Sequence, residues 1–149
     1  MQSDECNTKQ LDYFAQKLSE TNQLGILIGP ESDYLPGVIN GLAKGLRKRL
    51  SVPVWIIPES RIPNQSTLEY DELVSSFDTV LAFGLRSKIG KTLIFFLDAK
   101  NKGVFSVYIC RDKDRYTQYA DFAVMTSLPG IFSRAIRKAQ LKKINNAKK

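Results

Sequence analysis

The sequence predicts an α/β fold: one domain built on an open, parallel, five-stranded sheet with helices on both faces, in the Rossmann-like and flavodoxin-like order 2-1-3-4-5. Three observations predict it. Five short apolar runs, "LGILIG", "VPVWIIP", "DTVLAFG", "VFSVYIC" and "DFAVMT", alternate with segments whose apolar residues recur at helical spacing. The chain has 149 residues, of which 43% are apolar and 25% charged, the size and balance of one globular domain that buries its own core. Two of the strand-like runs, the first and the third, end in glycine-bearing loops, "GPES" and "GLRSKIGKT", where ligands of such sheets bind.

Taken in order, "LDYFAQKLSE" sets Leu11, Phe14, Ala15 and Leu18 on one helical stripe before the first strand. "PESDYLPG" is a turn with two cap-type residues, Ser32 and Asp33, and with Pro36 where the first helical turn tolerates proline. The helix after it, "GVINGLAKGLRKRL", crowds Lys44, Arg47, Lys48 and Arg49 at its carboxyl end, where the helix dipole favours cations. "STLEYDELVSSF" reads as a helix opened by a capping box, with Ser66 three residues before Glu69.

"KTLIFFLDAKNKG" has strand-like composition, but a parallel crossover is needed between "DTVLAFG" and "VFSVYIC", so it is assigned as helix. A helix so apolar on most faces has to be covered on more than one side, by a second copy of the chain or by the N-terminal helix. Residues 91–102 are therefore the expected homodimer interface. "RDKDRYTQYA" is a polar loop, and "SLPGIFSRAIRKAQLKK" a closing amphipathic helix. The expected organisation is a flexible start over 1–9, the domain over 10–142, and a basic disordered tail over 143–149.

Charge is placed unevenly. The net charge is +7, and seven basic residues but no acidic one lie from Ile131 onward, so the remaining 15 basic residues balance all 15 acidic ones. A basic stripe of Arg134, Arg137, Lys138 and Lys142 on the last helix is thus the candidate contact for nucleic acid or an acidic partner, without the interleaved aromatics that stack bases. The longest apolar run, Leu93 to Leu97, is far short of the ~20 residues a membrane span needs, and the polar start carries Asp4 and Glu5; a cytoplasmic location is expected. With no histidine and two distant cysteines, Cys6 and Cys110, neither a metal centre nor a cofactor is expected. Cys110 ends an apolar run and is expected to be a buried thiol.

"FGLRSKIGKT" is close to a triphosphate-binding loop but places five residues between Gly84 and Gly90-Lys91-Thr92 where that loop has four, which changes how backbone N–H groups wrap a phosphate. A more general anion site is open to it. Ser87 enters a helix N-terminus, Arg86, Lys88 and Lys91 add charge, and Thr92 adds a hydroxyl; a solvated basic turn with Ser87 as an ordinary N-cap is the alternative.

The order "LGILIGPES", "VPVWIIPES", "DTVLAFGLRSKIGKT", "AKNKGVFSVYIC", "YADFAVMTS" resembles the sugar isomerase (SIS) domain over about residues 10 to 140. The resemblance implies a phosphorylated small-molecule ligand, a phosphosugar, and usually a dimer. Ala99-Lys100-Asn101-Lys102-Gly103 and Ala120-Asp121 match later landmarks of that family, and Ser87 falls on the second serine of its S-x-S-G-x-T phosphate loop. Leu85 stands for the first serine, Lys88 for the glycine and Ile89-Gly90 for the x-T; at the first strand Gly29-Pro30-Glu31-Ser32 keeps the serine. The expected ligand residues are Ser32, Arg86, Ser87, Lys88, Lys91 and Thr92.

Isomerisation in that family uses a glutamate base and often a histidine; here Glu59 and Glu31 are the carboxylates near the strand ends, with Glu59 the weak candidate base. A regulatory or non-catalytic binding domain is the expectation. "DTVLAFGLRSKIG" is also similar to the SLOG group of Rossmann-like domains, which bind nucleotide-derived ligands, although the glycine-rich first loop of that group is absent.

Overall fold

The computed structural model describes residues 8–29, 36–85, 90–110, 117–125 and 130–147. Its elements are α1 (Thr8–Ser19), β1 (Leu24–Ile28), α2 (Pro36–Leu50), β2 (Val54–Pro58), a 3-10 turn (Glu59–Arg61), α3 (Leu68–Val74), β3 (Thr79–Phe83), α4 (Lys91–Asn101), β4 (Phe105–Cys110), a second 3-10 turn (Thr117–Tyr119), β5 (Phe122–Met125) and α5 (Gly130–Ala147). The five strands form one all-parallel sheet in the order β2-β1-β3-β4-β5.

Alternation along the strands divides the core into two layers. Leu24, Ile26, Leu81, Phe83, Val107 and Ile109 face α1, α2 and α5, while Leu27, Val80, Ala82 and Tyr108 face α3 and α4. All five residues of β3 are buried, as expected for a central strand covered on both faces. In the first layer, Phe14 of α1 stacks on Phe122 at 5.3 Å between ring centroids and meets Phe132 of α5 edge-on at 5.5 Å.

α4 is a helix, and the sheet and α3 cover its apolar faces. Leu93, Phe95, Phe96 and Ala99 are buried, with Phe95 edge-on to Tyr70 of α3, and Ile94 and Leu97 are half-buried. The alternative cover, α1, lies on the opposite face of the sheet, because it precedes β1 and packs with α5. α3 begins one residue later than its sequence suggests: Thr67, not Ser66, is the N-cap, its Oγ1 accepting from the Tyr70 N–H at 3.2 Å. α5 extends to Ala147, five residues past the expected end of the folded domain, and Lys143 donates to the Leu50 carbonyl at the end of α2. The basic end of α2 is also less solvated than its charge implies, since Arg47 donates through two nitrogens to the Val54 carbonyl of edge strand β2, at 3.1 and 2.6 Å. That contact blunts part of an open edge. Cys110 is a buried thiol outside any disulfide, and Cys6 lies outside the described residues. Among the described residues, no helix is long and apolar enough to cross a membrane and no group of ligating side chains suits a metal ion.

Candidate functional site

In this strand order β1 sends its chain to one face and β3 to the other, and the crevice between their carboxyl ends is where such sheets bind ligands. Here the two strand ends meet backbone to backbone. The Gly29 N–H donates to the Phe83 carbonyl at 2.8 Å, which carries the β1–β3 pairing past the end of the strand. A Cβ on Gly29 would lie 2.0 Å from the Gly84 carbonyl oxygen, and Gly84 itself has φ +69°. Only glycine fits the first position, and glycine is favoured at the second. A ligand at this point has to lie beyond the paired glycines.

What lies beside them is the first turn of α4. Its N-cap is Gly90, which has no side chain to satisfy the free N–H groups of the turn. The deficit is met from a distant loop: Oε1 of Glu59, just after β2, accepts from the Thr92 N–H at 3.1 Å. Thr92 is the second helical residue, the position whose N–H a capping side chain ordinarily takes. The carboxylate sits directly over the cap, since a Cβ on Gly90 would stand 2.6 Å from Glu59 Oε1. Lys91 closes the connection in the other direction, its Nζ donating to the Ile62 carbonyl at 3.2 Å.

The loop after β2 therefore passes the end of β1 to grip α4. The helix dipole favours the Glu59 charge. One group is left over. Thr92 is 1% exposed and, among the described residues, its Oγ1 has no hydrogen-bond partner, a costly state for a buried hydroxyl.

Further along α4, the Tyr70 hydroxyl donates to Asp98 Oδ2 at 2.5 Å, and Gln65 Nε2 donates to the same oxygen at 3.0 Å. Burial first, then the bond to Asp98 and the charges of Asp98 and Asp71, hold the Tyr70 phenol well above its ordinary pKa. This cluster fixes α3 and the loop before it against α4, and so holds the Glu59 loop in register with the helix end.

The structure thus brings Glu59, Lys91 and Thr92 together. Ser32, Arg86, Ser87 and Lys88 lie outside the described residues. The N-cap of α4 is Gly90 and not Ser87. Arg134, Arg137, Lys138 and Lys142 lie on α5, in the helical layer on the opposite face of the sheet from α4. Lys138 pairs with Asp12 of α1 at 3.1 Å, between half-exposed side chains, where the pair contributes little to stability. Asp121, in the Ala120-Asp121 landmark, accepts from the Ser106 N–H at 3.0 Å near the start of β4, at the end of the sheet away from the crevice.

Sequence reading missed the Glu59–Thr92 bond, because nothing in local spacing shows which helix end a loop carboxylate will find. The glycine directly before "KTLIFF" was a usable signal for the cap, since glycine is enriched there. No protein-family model matches the chain, and no curated protein matches it either.

Proposed function

We propose that the chain is a phosphosugar-binding domain, regulatory or otherwise non-catalytic and acting in the cytoplasm, whose ligand sits over the first turn of α4 at the carboxyl ends of β1 and β3. The observation that carries this reading is the state of Thr92. Its N–H is already held by an anionic group from another loop, and its buried hydroxyl has no partner among the described residues. A helix end that collects a carboxylate is one that favours anions, and a phosphate ester offers several acceptor oxygens where Glu59 uses one.

In this reading the phosphate takes the Thr92 N–H and hydroxyl as Glu59 withdraws, with Lys91 close enough to add charge once it releases the Ile62 carbonyl. Glu59 is then free to accept from sugar hydroxyls. A carboxylate engaged as a helix cap, in a chain without histidine, supports binding over turnover.

Thermal-shift measurements with glucosamine 6-phosphate, glucose 6-phosphate and a panel of nucleotides test the proposal. Stabilisation by the phosphosugars, lost in Thr92→Val, is the expected result. Stabilisation by nucleotides alone favours a nucleotide-derived ligand, and stabilisation by neither class overturns the reading.

A further inference from the structure

We propose that this face-divided molecule associates with itself, α3 of one copy docking in the groove between α2 and α5 of the next. The groove has a volume of about 350 Å³ and lies between two neighbouring helices of one layer. Its wall on α2 is made by Gly37, Gly41 and Gly45, four residues apart and so on one face of the helix. Among the described residues a Cβ at Gly37 or Gly41 would meet nothing within 4 Å, so a neighbouring backbone can come close there. Leu42, Phe132 and Ile136 supply an apolar floor. At one end Lys143 bridges to the Leu50 carbonyl and ties the two helices together.

The charge of the walls is of one sign. α2 and α5 hold nine basic residues and no acidic one. Arg47, Lys138 and Lys143 are used inside the molecule, whereas Lys44 and Lys48 flank the glycine face, Arg49 lines the groove, and Arg137 follows Ser133 along the opposite rim.

α3 has the complementary character. Its seven residues include Glu69, Asp71 and Glu72 and no basic residue. Leu68 at its start is 70% exposed, the most exposed large apolar side chain among the described residues. An acidic helix with an unburied leucine matches a basic groove with an apolar floor, and the two surfaces lie on opposite faces of the sheet. Opposite charge supplies the attraction that salt screens, and burial of Leu68 on the apolar floor fixes where the surfaces meet; that floor is of little use to a nucleic acid, whose backbone asks only for cations. Such a contact joins unlike patches, so it does not close on itself as a two-fold dimer does.

Sedimentation velocity on the full chain, over a concentration series at low and high salt, tests this. The expected result is a mass that climbs with concentration beyond that of a dimer at low salt and falls back towards the monomer at high salt. Gly41→Leu, which fills open space, should weaken association at least tenfold, as should Leu68→Ser, Lys48→Glu with Arg49→Glu, or Glu69→Lys with Glu72→Lys; circular dichroism checks that each folds.

Mixing the two charge-reversed chains should restore association, because each groove again meets an α3 of opposite sign. A monomer at every concentration, a species that stops at the dimer, or association indifferent to the reversals would overturn the proposal. So would a chain that stays monomeric but binds a labelled single-stranded oligonucleotide through Lys48 and Arg49, which would make the groove a nucleic-acid surface.

Discussion

On the α3–α4 face of the sheet, polar groups are joined across elements: Glu59 to the Thr92 N–H, Lys91 to the Ile62 carbonyl, and Tyr70 and Gln65 to Asp98. On the α1–α2–α5 face the layer is centred on the packing of Phe14, Phe122 and Phe132; its polar ties, Arg47 to the Val54 carbonyl and Lys143 to the Leu50 carbonyl, lie towards the carboxyl ends of the helices, and a groove stays open between α2 and α5. Under the two proposals above, the difference lets one sheet serve two ends. A face whose helix ends are fixed by specific bonds can hold a defined arrangement of donors for a small ligand. A face held by side-chain packing, with glycines at its surface, can instead receive another protein surface.

The sharpest way to break the comparison is at the apolar layer. Phe14→Ala removes a fully buried ring between two others and should cost about 3–5 kcal/mol, read as a fall in the denaturation midpoint at unchanged m-value. A loss below about 1 kcal/mol would mean the layer is not held as described. Gly29→Val tests the point where the two faces part. With the Gly84 carbonyl 2.0 Å from the new Cβ, backbone has to move, and the cost should be about 3 kcal/mol, the upper end for overpacking, with loss of any phosphosugar-induced thermal shift.

Tyr70→Phe probes the polar face. It removes a hydrogen bond to a carboxylate and should cost about 1.5–3 kcal/mol at neutral pH in chemical denaturation. It also changes the response to alkali. The folded-state pKa of Tyr70 is raised above its ordinary value of 10.0, so the folded chain holds that proton longer than the unfolded one; the stability from this group is complete below about pH 10 and is lost as pH rises toward the raised value. Denaturation midpoints above pH 10 should therefore fall more steeply for the parent chain than for Tyr70→Phe, and parallel slopes would contradict this. The smallest effect should be a gain. Gly41→Ala adds a methyl group into open space on a helix and should stabilise by about 0.5–1 kcal/mol, visible as a small rise in Tm.

Much of the scaffold was legible because its signals are local. Five apolar runs, helical stripes such as Leu11-Phe14-Leu18, and the need for a crossover before "VFSVYIC" lead to the strand order that the structure has. Even the doubtful "KTLIFFLDAKNKG" came out as helix, because topology outweighs its strand-like composition. What spacing could not give was contact between distant segments. Glu59 and Thr92 are 33 residues apart and the bond between them depends on how far a loop passes β1. The α2–α5 groove depends on α5 lying beside α2, which no local pattern encodes, although the four-residue spacing of Gly37, Gly41 and Gly45 was there to be read. The expected end of the last helix was short because "INNA" is polar, while the contact of Lys143 with Leu50 holds that turn on the fold.

Thr92 is the proposed point where a phosphate is received. A titration of the ¹⁵N-labelled chain with glucosamine 6-phosphate, following backbone amide resonances, tests this most directly. The Thr92 amide should move saturably as its partner changes from Glu59 to phosphate, and Glu59→Gln, which removes a competing negative charge, should reach saturation at about two- to tenfold lower ligand concentration, a change of about 0.4–1.4 kcal/mol. A Thr92 amide that stays in place while the ligand binds elsewhere, or no saturable change at any residue, would contradict it.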